Sequence, residues 1–112
     1  MHISTLNHEF VISGQLTVED LGELQAHGIK TVFCHRLDAE EPGQPTEAEL
    51  RDAAEALGIA FHSLPFAPDK LLPHTVAEFR RIYAAASKPV LGFCRSGKRA
   101  ETIWRLAGQL KD

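Results

Sequence analysis

Cysteine is scarce in this sequence, and long apolar runs are absent from it. Two cysteines in 112 residues cannot form a disulfide framework, which favours a reducing compartment. Residues 1–5 lack the basic flank and apolar core of a signal peptide, and no apolar run approaches the length that spans a bilayer. Low-complexity segments, internal repeats and linkers are also missing. We therefore predict one domain over residues 1–112, in the cytoplasm and without a membrane-spanning segment.

The sequence also lacks an excess of positive charge. Its 12 lysines and arginines are outnumbered by 15 aspartates and glutamates, which gives a formal net charge of -3. This balance argues against nucleic acid or an anionic membrane as a partner, although it is compatible with a local basic pocket. The six histidines and two cysteines show no paired metal-ligand spacing. We therefore expect neither a metal nor an organic cofactor.

Short apolar segments alternate with amphipathic ones along the chain. Helices are predicted to begin at Thr17 and Thr46, each followed by an acidic residue at capping-box spacing, and to end at Gly28 and Gly58. Two further helices are predicted after them. The four predicted strands cover residues 10–12, 29–34, 59–64 and the apolar run that ends at Cys94. This β-α-β-α-β-α-β-α order predicts an α/β fold with a mostly parallel sheet of about four to five strands flanked by helices.

The loops that leave the strands are the expected place for a site. In parallel sheets, ligands bind beyond the carboxyl ends of the strands. The segments that leave those ends are residues 35–45, residues 65–73 and the loop that begins at Cys94. We expect these three loops to meet at one edge of the sheet.

The loop after the last strand carries the predicted reactive group. Cys94 ends an apolar run, Ser96 and Gly97 allow the backbone to curl, and a helix follows. Helix N-termini and nearby arginines favour the thiolate, which is the nucleophilic form of cysteine. A buried core cysteine is the competing interpretation, and the basic turn argues against it. We predict that Cys94 and Arg99 are catalytic and that the substrate is bound by Arg95, Ser96, Gly97, Lys98 and Ala100.

The other two loops supply candidate proton donors. Asp69 is the preferred general acid by its position, and His74 is the second choice, while a solvated loop residue is the competing interpretation for both. Cys34 ends a predicted buried strand, and we expect it to be a core residue. A resolving thiol is the alternative, because both strand ends point to the same edge if the sheet is parallel.

Two segments carry a resemblance to a known family. Arg36, Asp38 and residues 40–46 (Glu-Glu-Pro-Gly-Gln-Pro-Thr), together with residues 94–99 (Cys-Arg-Ser-Gly-Lys-Arg), resemble the bacterial family DUF442. This family is also known as the phosphatase-like domain of beta-lactamase hydrolase-like proteins, and the similarity covers nearly the whole chain. It implies a fold similar to dual-specificity protein phosphatases, sometimes fused to a metallo-beta-lactamase-like persulfide dioxygenase. Members of the family are described as phosphatases and as sulfurtransferases.

The length of the cysteine loop favours one of these two activities. Phosphatases that resemble this fold use Cys-x5-Arg, whereas here position 100 is alanine and Arg99 arrives one residue earlier, as in rhodanese-type loops. We therefore predict a thiosulfate- or persulfide-dependent sulfurtransferase in which Cys94 attacks the sulfane sulfur of a donor. Arg95 and Arg99 then stabilise the anion, and Arg36 helps to orient it. A thiol acceptor such as glutathione removes the sulfur, and a persulfide dioxygenase is a possible partner.

Two alternatives stay open. One is a protein tyrosine or dual-specificity-like phosphatase, in which Cys94 forms a phosphocysteine and Asp69 protonates the leaving oxygen. The other is a non-catalytic domain that carries a persulfide or binds an anion for a partner enzyme. In every case the expected ligand is a small anion, namely thiosulfate, a persulfide or a phosphate ester.

Overall fold

A computed structural model describes residues 2–110, in which a five-stranded sheet separates two pairs of helices. The strands are β1 (Ile3–Thr5), β2 (Phe10–Ser13), β3 (Thr31–Cys34), β4 (Ala60–Ser63) and β5 (Val90–Phe93). The helices are α1 (Val18–Ala26), α2 (Glu47–Ala56), α3 (Pro73–Ala85) and α4 (Lys98–Gly108). The strand order is β1-β2-β5-β3-β4, and every neighbouring pair is parallel except β1 with β2. The predicted α/β fold with a mostly parallel sheet is confirmed.

The antiparallel edge strand β1 is the element that the sequence pattern did not predict. All three of its residues are exposed, so it shows no alternation of apolar and polar positions. Its pairing with β2 gives hydrogen-bond partners to the outer main-chain groups of that strand.

Helices α1 and α2 begin where the capping boxes predict. The side-chain oxygen of Thr17 accepts a hydrogen bond from the amide of Asp20 at 3.2 Å, and the Asp20 carboxylate accepts one from the amide of Thr17 at 2.8 Å. Thr46 and Glu49 form the same reciprocal pair at the start of α2. Each such cap stabilises its helix by about 1 kcal/mol.

The two faces of the sheet carry separate apolar clusters. The first lies under α1 and α2 and includes Cys34, whereas the second lies under α3 and α4. Gly92 in β5 lets α4 approach the sheet closely, because a Cβ there would lie 3.0 Å from the ring of Phe10 and 3.2 Å from the Cβ of Ala100. Among residues 2–110, none of the helices is long and apolar enough to cross a membrane.

The loops after β3, β4 and β5 meet at the carboxyl edge of the sheet, as predicted. Arg99, in the first turn of α4, joins them. Its guanidinium donates to Glu40 in the loop after β3 and to the main-chain oxygen of Phe66 in the loop after β4. The start of α4 is therefore fixed to both neighbouring loops.

Candidate active site

Cys94 follows β5 directly, in a turn whose backbone amides point at its sulfur. The amides of Gly97 and Arg99 donate to Sγ at 3.1 and 3.3 Å, and the residue is 1% exposed. A sulfur that accepts two N–H groups is suited to act as a thiolate, since a thiolate has no proton to donate and only accepts. The turn therefore holds Cys94 in a setting appropriate to a nucleophile.

Two glycines allow the backbone to form this turn without steric conflict. Gly97 has a φ of +95° and is the N-cap of α4, a left-handed conformation that residues with a Cβ adopt at a cost. A Cβ on Gly14 would lie 2.9 Å from the main-chain oxygen of Arg95. The segment after β2 and the cysteine turn are thus in direct backbone contact.

A cleft of about 340 Å³ opens beside the turn. Polar and cationic residues of the turn and α4 form one wall, and apolar residues from the loop after β4 form the other: Arg95, Ser96, Lys98, Arg99 and Thr102 face Phe66, Pro68 and Leu71. The amides of Arg95 and Ser96 donate to no acceptor within residues 2–110. Available amides and positive charge at a helix N-terminus form a site for a small anion.

Arg99 is held so that one edge of its guanidinium stays available. Nη1 donates to Glu40 Oε2 at 2.8 Å and to the main-chain oxygen of Phe66 at 3.0 Å, and Nη2 donates to Glu40 Oε1 at 2.8 Å. The remaining donors, Nε–H and the second N–H of Nη2, share one edge and meet no oxygen acceptor in the described part of the chain. Hydrogen bonds that Arg99 donates to Glu40 raise its pKa, and the negative charge of Cys94 as thiolate and a hydrogen bond to its sulfur raise the pKa further. The guanidinium therefore lies close to the sulfur.

Glu40 fixes the position of the Arg99 guanidinium. The sequence identified Glu40 only as part of the motif at residues 40–46 that resembles the family. Besides Arg99, its carboxylate accepts from Arg36 Nε at 2.8 Å and from the amide of Leu37 at 3.1 Å. These hydrogen bonds, chiefly that from Arg99, lower the pKa of Glu40 to about 2. Glu40 therefore stays ionised near neutral pH and counterbalances two buried arginines.

Arg36 lies away from the cleft, contrary to the prediction that it orients the substrate. The residue is 3% exposed and is not part of the cleft wall. Its Nε, Nη1 and Nη2 atoms donate to Glu40, Gln15 and Glu41 in turn. Arg36 therefore supports Glu40 and has no face that a substrate reaches.

The remaining predicted residues differ in exposure. Asp69 is exposed and lies between Pro68 and Leu71, both of which line the cleft, and its role as general acid stays a prediction. His74 is exposed in the first turn of α3. Ala100 is buried, and its side chain packs in the cluster under α3 and α4. Only its main-chain N–H is suited to the predicted contact with an anion.

Cys34 has the surroundings of a core residue, as predicted. It belongs to the apolar cluster under α1 and α2, and its Sγ donates to the main-chain oxygen of Arg36 at 3.4 Å. Burial raises the pKa of Cys34 to about 11. A thiol that lies on this face of the sheet and is protonated near neutral pH is poorly suited to resolve an intermediate on Cys94.

His35 is a buried neighbour of the site for which the sequence pattern predicts no role. Its ring packs among Phe33, Phe66 and Phe79, and its Nδ1–H donates to the main-chain oxygen of Leu64 at 3.0 Å. Burial lowers the pKa of His35 to about 4, so the ring is neutral near pH 7. A neutral imidazole ties the loop after β4 to β3 without adding charge beneath the cleft.

Sequence comparisons match the whole described chain to one family. The family model for the beta-lactamase hydrolase-like protein, phosphatase-like domain, matches residues 2–111. A beta-lactamase hydrolase-like protein of Agrobacterium fabrum is 32% identical over 105 residues, which cover 94% of this chain and 24% of that protein. The chain therefore spans about a quarter of the length of the curated relatives it matches.

Structural comparisons find the same fold in phosphatases. A candidate phosphatase from Neisseria meningitidis has a TM-score of 0.84 at 35% identity, with 96% of this chain and 78% of that chain covered. TpbA of P. aeruginosa, solved as a cysteine-to-serine variant in complex with phosphotyrosine, has a TM-score of 0.71 at 21% identity. That match covers 98% of this chain and 65% of that chain, and at this identity it shows the fold alone.

The prediction of sulfur transfer is wrong, because the matched family and the Neisseria relative are phosphatase-like. The prediction depended on Arg99 following Cys94 one residue earlier than in Cys-x5-Arg loops. In the structure this arginine lies in the first turn of α4, its guanidinium interacts with the sulfur, and one guanidinium edge meets no oxygen acceptor in the described part of the chain. The shorter spacing therefore does not exclude a phosphate. The predicted thiol acceptor depended on sulfur transfer and loses its basis with it. The persulfide dioxygenase partner came from the family resemblance and stays a prediction.

Proposed function

Because this chain belongs to the family of phosphatase-like domains of beta-lactamase hydrolase-like proteins, we propose that it is a cysteine-dependent phosphatase that hydrolyses phosphate monoesters. The observation that carries the proposal is the turn at Cys94, where two amides donate to the sulfur. The same turn holds the unpaired amides of Arg95 and Ser96, and Arg99 adds its free edge. These donors suit the oxygens of a phosphoryl group.

The reaction proceeds in two displacements at phosphorus. In the first, the Cys94 thiolate forms an S–P bond while the bond from phosphorus to the leaving oxygen breaks. The free edge of Arg99 binds two of the phosphoryl oxygens throughout. Asp69 gives a proton to the leaving oxygen. Water then attacks phosphorus, Asp69 accepts the proton of that water, and the S–P bond breaks to release inorganic phosphate and the thiolate.

Charge and relatives both support this class of substrate. Arg95 and Lys98 line the cleft and add positive charge for a phosphate dianion. The TpbA variant is in complex with phosphotyrosine, which is a phosphate monoester. The relative from Neisseria, a candidate phosphatase, is 35% identical to this chain.

The test is hydrolysis of 4-nitrophenyl phosphate by the purified protein, followed as release of inorganic phosphate. We expect Cys94→Ser to lower kcat by more than about 1000-fold, because the nucleophile is lost. Cys34→Ser is the matched control and keeps the rate within about twofold, because that thiol lies under the other face of the sheet. Intact-protein mass after acid quenching is expected to show one phosphoryl group, present only when Cys94 is intact. Binding of the ester without any turnover by the wild-type protein would overturn the proposal.

A further inference from the structure

An apolar groove continues the charged cleft. It has a volume of about 340 Å³ and is lined by Leu71, Pro73, Val76, Leu106, Gln109 and Leu110. Leu71 lines both the groove and the cleft, so the two spaces adjoin. Within residues 2–110 no charged side chain lines the groove, whereas the cleft has three cationic residues.

The side of α4 that faces these spaces changes character along its length. Lys98 and Thr102 line the cleft and Leu106 lines the groove, and their four-residue spacing places them along one side of the helix. A rise of 1.5 Å per residue puts Leu106 about 12 Å beyond Lys98. Leu106 and Leu110 are each 40% exposed. Positive charge at one end and uncovered leucine at the other match a ligand with an anionic head and an apolar chain.

We infer that the groove binds an apolar chain of the same substrate whose phosphate occupies the cleft. This inference rests on the proposed phosphatase function and narrows the substrate class to phosphate monoesters with a hydrocarbon group near the ester oxygen. A sugar phosphate or a nucleotide would place hydroxyl groups or charges against the apolar side chains of Leu71 and Leu106, and Gln109 is the one polar side chain that lines the groove within residues 2–110. The size of each space is that of a small-molecule site.

The test compares phenyl phosphate with 4-butylphenyl phosphate as substrates. For the wild-type protein we expect kcat/KM to be about tenfold higher for the butyl ester, through a lower KM, because partial burial of the methylenes stabilises bound substrate and transition state alike. Leu106→Gln is expected to remove this gain and to leave hydrolysis of phenyl phosphate within about twofold. Val18→Gln is the matched control, since Val18 is also 40% exposed but begins α1 on the other face of the sheet.

The outcomes of this test distinguish the inference about the groove from the proposed phosphatase function. Equal kcat/KM values for the two esters would contradict binding of an apolar chain in the groove and leave the phosphatase proposal intact. The same holds if the higher kcat/KM of the butyl ester persists in Leu106→Gln. If neither ester is hydrolysed, the phosphatase proposal fails. Calorimetric titration of Cys94→Ser then tests the groove alone, which requires about tenfold tighter binding of the butyl ester. A change in mass between wild type and Leu106→Gln in sedimentation velocity would show an interface between copies and contradict the inference.

Discussion

The two cysteines look alike in sequence, since each ends an apolar strand, but their surroundings in the structure are opposite. Sγ of Cys94 accepts hydrogen bonds from two amides, whereas Sγ of Cys34 donates to the main-chain oxygen of Arg36. Donors around a sulfur suit a thiolate, while burial beside a carbonyl keeps Cys34 a thiol, with its pKa raised to about 11. We therefore expect the direction of the backbone dipoles after the strand to make Cys94 the more reactive of the two cysteines.

Alkylation rates are expected to show the largest difference between the two cysteines. Near neutral pH, we expect iodoacetamide to modify Cys94 at least about 100-fold faster than Cys34, because Cys34 is almost wholly protonated, whereas two backbone amides donate to the sulfur of Cys94. Intact-protein mass over time measures both rates, with Cys94→Ser and Cys34→Ser proteins to isolate each thiol. In concentrated urea the two thiols are expected to react at similar rates. Similar rates in the folded protein would contradict the contrast.

Glu40 connects the segments that follow Cys34 and Cys94, because its carboxylate accepts hydrogen bonds from Arg36 and from Arg99. Glu40→Gln leaves two buried guanidinium groups without this counter-charge, and we expect a loss of about 3 kcal/mol in the free energy of unfolding. We also expect kcat/KM to fall about 100-fold, because the free edge of Arg99 shifts. Urea unfolding and steady-state hydrolysis measure the two effects.

Glu41→Gln is the matched control for that variant. Glu41 is 47% exposed, and its ion pairs with Arg36 and Arg95 are expected to contribute less than about 1 kcal/mol. If Glu40→Gln destabilises the protein no more than this control, then Glu40 does not fix the site.

The pKa of Glu40 also predicts how stability depends on pH. The folded-state pKa of about 2 lies below the ordinary value of 4.5, so the stabilisation is complete above about pH 5 and is lost as the pH falls towards 2. The side chain is 20% exposed, and the expected size of the effect is about 3 kcal/mol. Urea unfolding at a series of pH values should show the curves of wild type and Glu40→Gln converging as the pH falls. Parallel curves would contradict the shift.

Gly97→Ala is expected to reduce the difference in alkylation rate between the two cysteines, because it slows the reaction of Cys94. The φ of +95° at Gly97 costs about 1 kcal/mol once a Cβ is present, and relaxation of the turn moves its amide away from Cys94. We expect alkylation of Cys94 to slow about tenfold while that of Cys34 stays the same. Gly22→Ala is the control, since a Cβ there meets nothing within 4 Å and lies within a helix. Unchanged alkylation of Cys94 in Gly97→Ala would show that this amide does not matter.

Local features of the fold were predictable because a few neighbouring residues determine them. The capping boxes at Thr17 and Thr46, and the strand that leads to Cys94, are of this kind. The edge strand β1 was not predictable, because its three exposed residues carry no apolar alternation and its position depends on the main chain of β2.

The site was only partly predictable, because spacing along the chain does not tell where a guanidinium points. Arg36 and Arg99 both follow strand ends, and the sequence made both candidates for binding the anion. In the structure the Glu40 carboxylate accepts hydrogen bonds from both arginines. Arg36 is buried, whereas one edge of the Arg99 guanidinium has no oxygen acceptor in the described part of the chain. The count of residues between Cys94 and Arg99 was therefore a poor guide to the activity.

Replacement of Cys34 by alanine is expected to have the smallest effect. The side chain is 3% exposed among apolar neighbours, so its truncation leaves a small cavity and costs about 1 kcal/mol in the free energy of unfolding. Phosphate release is expected to stay within about twofold of wild type, because the thiol lies under α1 and α2 while the cleft is formed with α4. Urea unfolding and hydrolysis, measured on the same preparation, separate the two quantities. A loss of activity greater than the loss of folded protein would mean that the core thiol takes part in the chemistry of Cys94, and the contrast between the two cysteines would then fail.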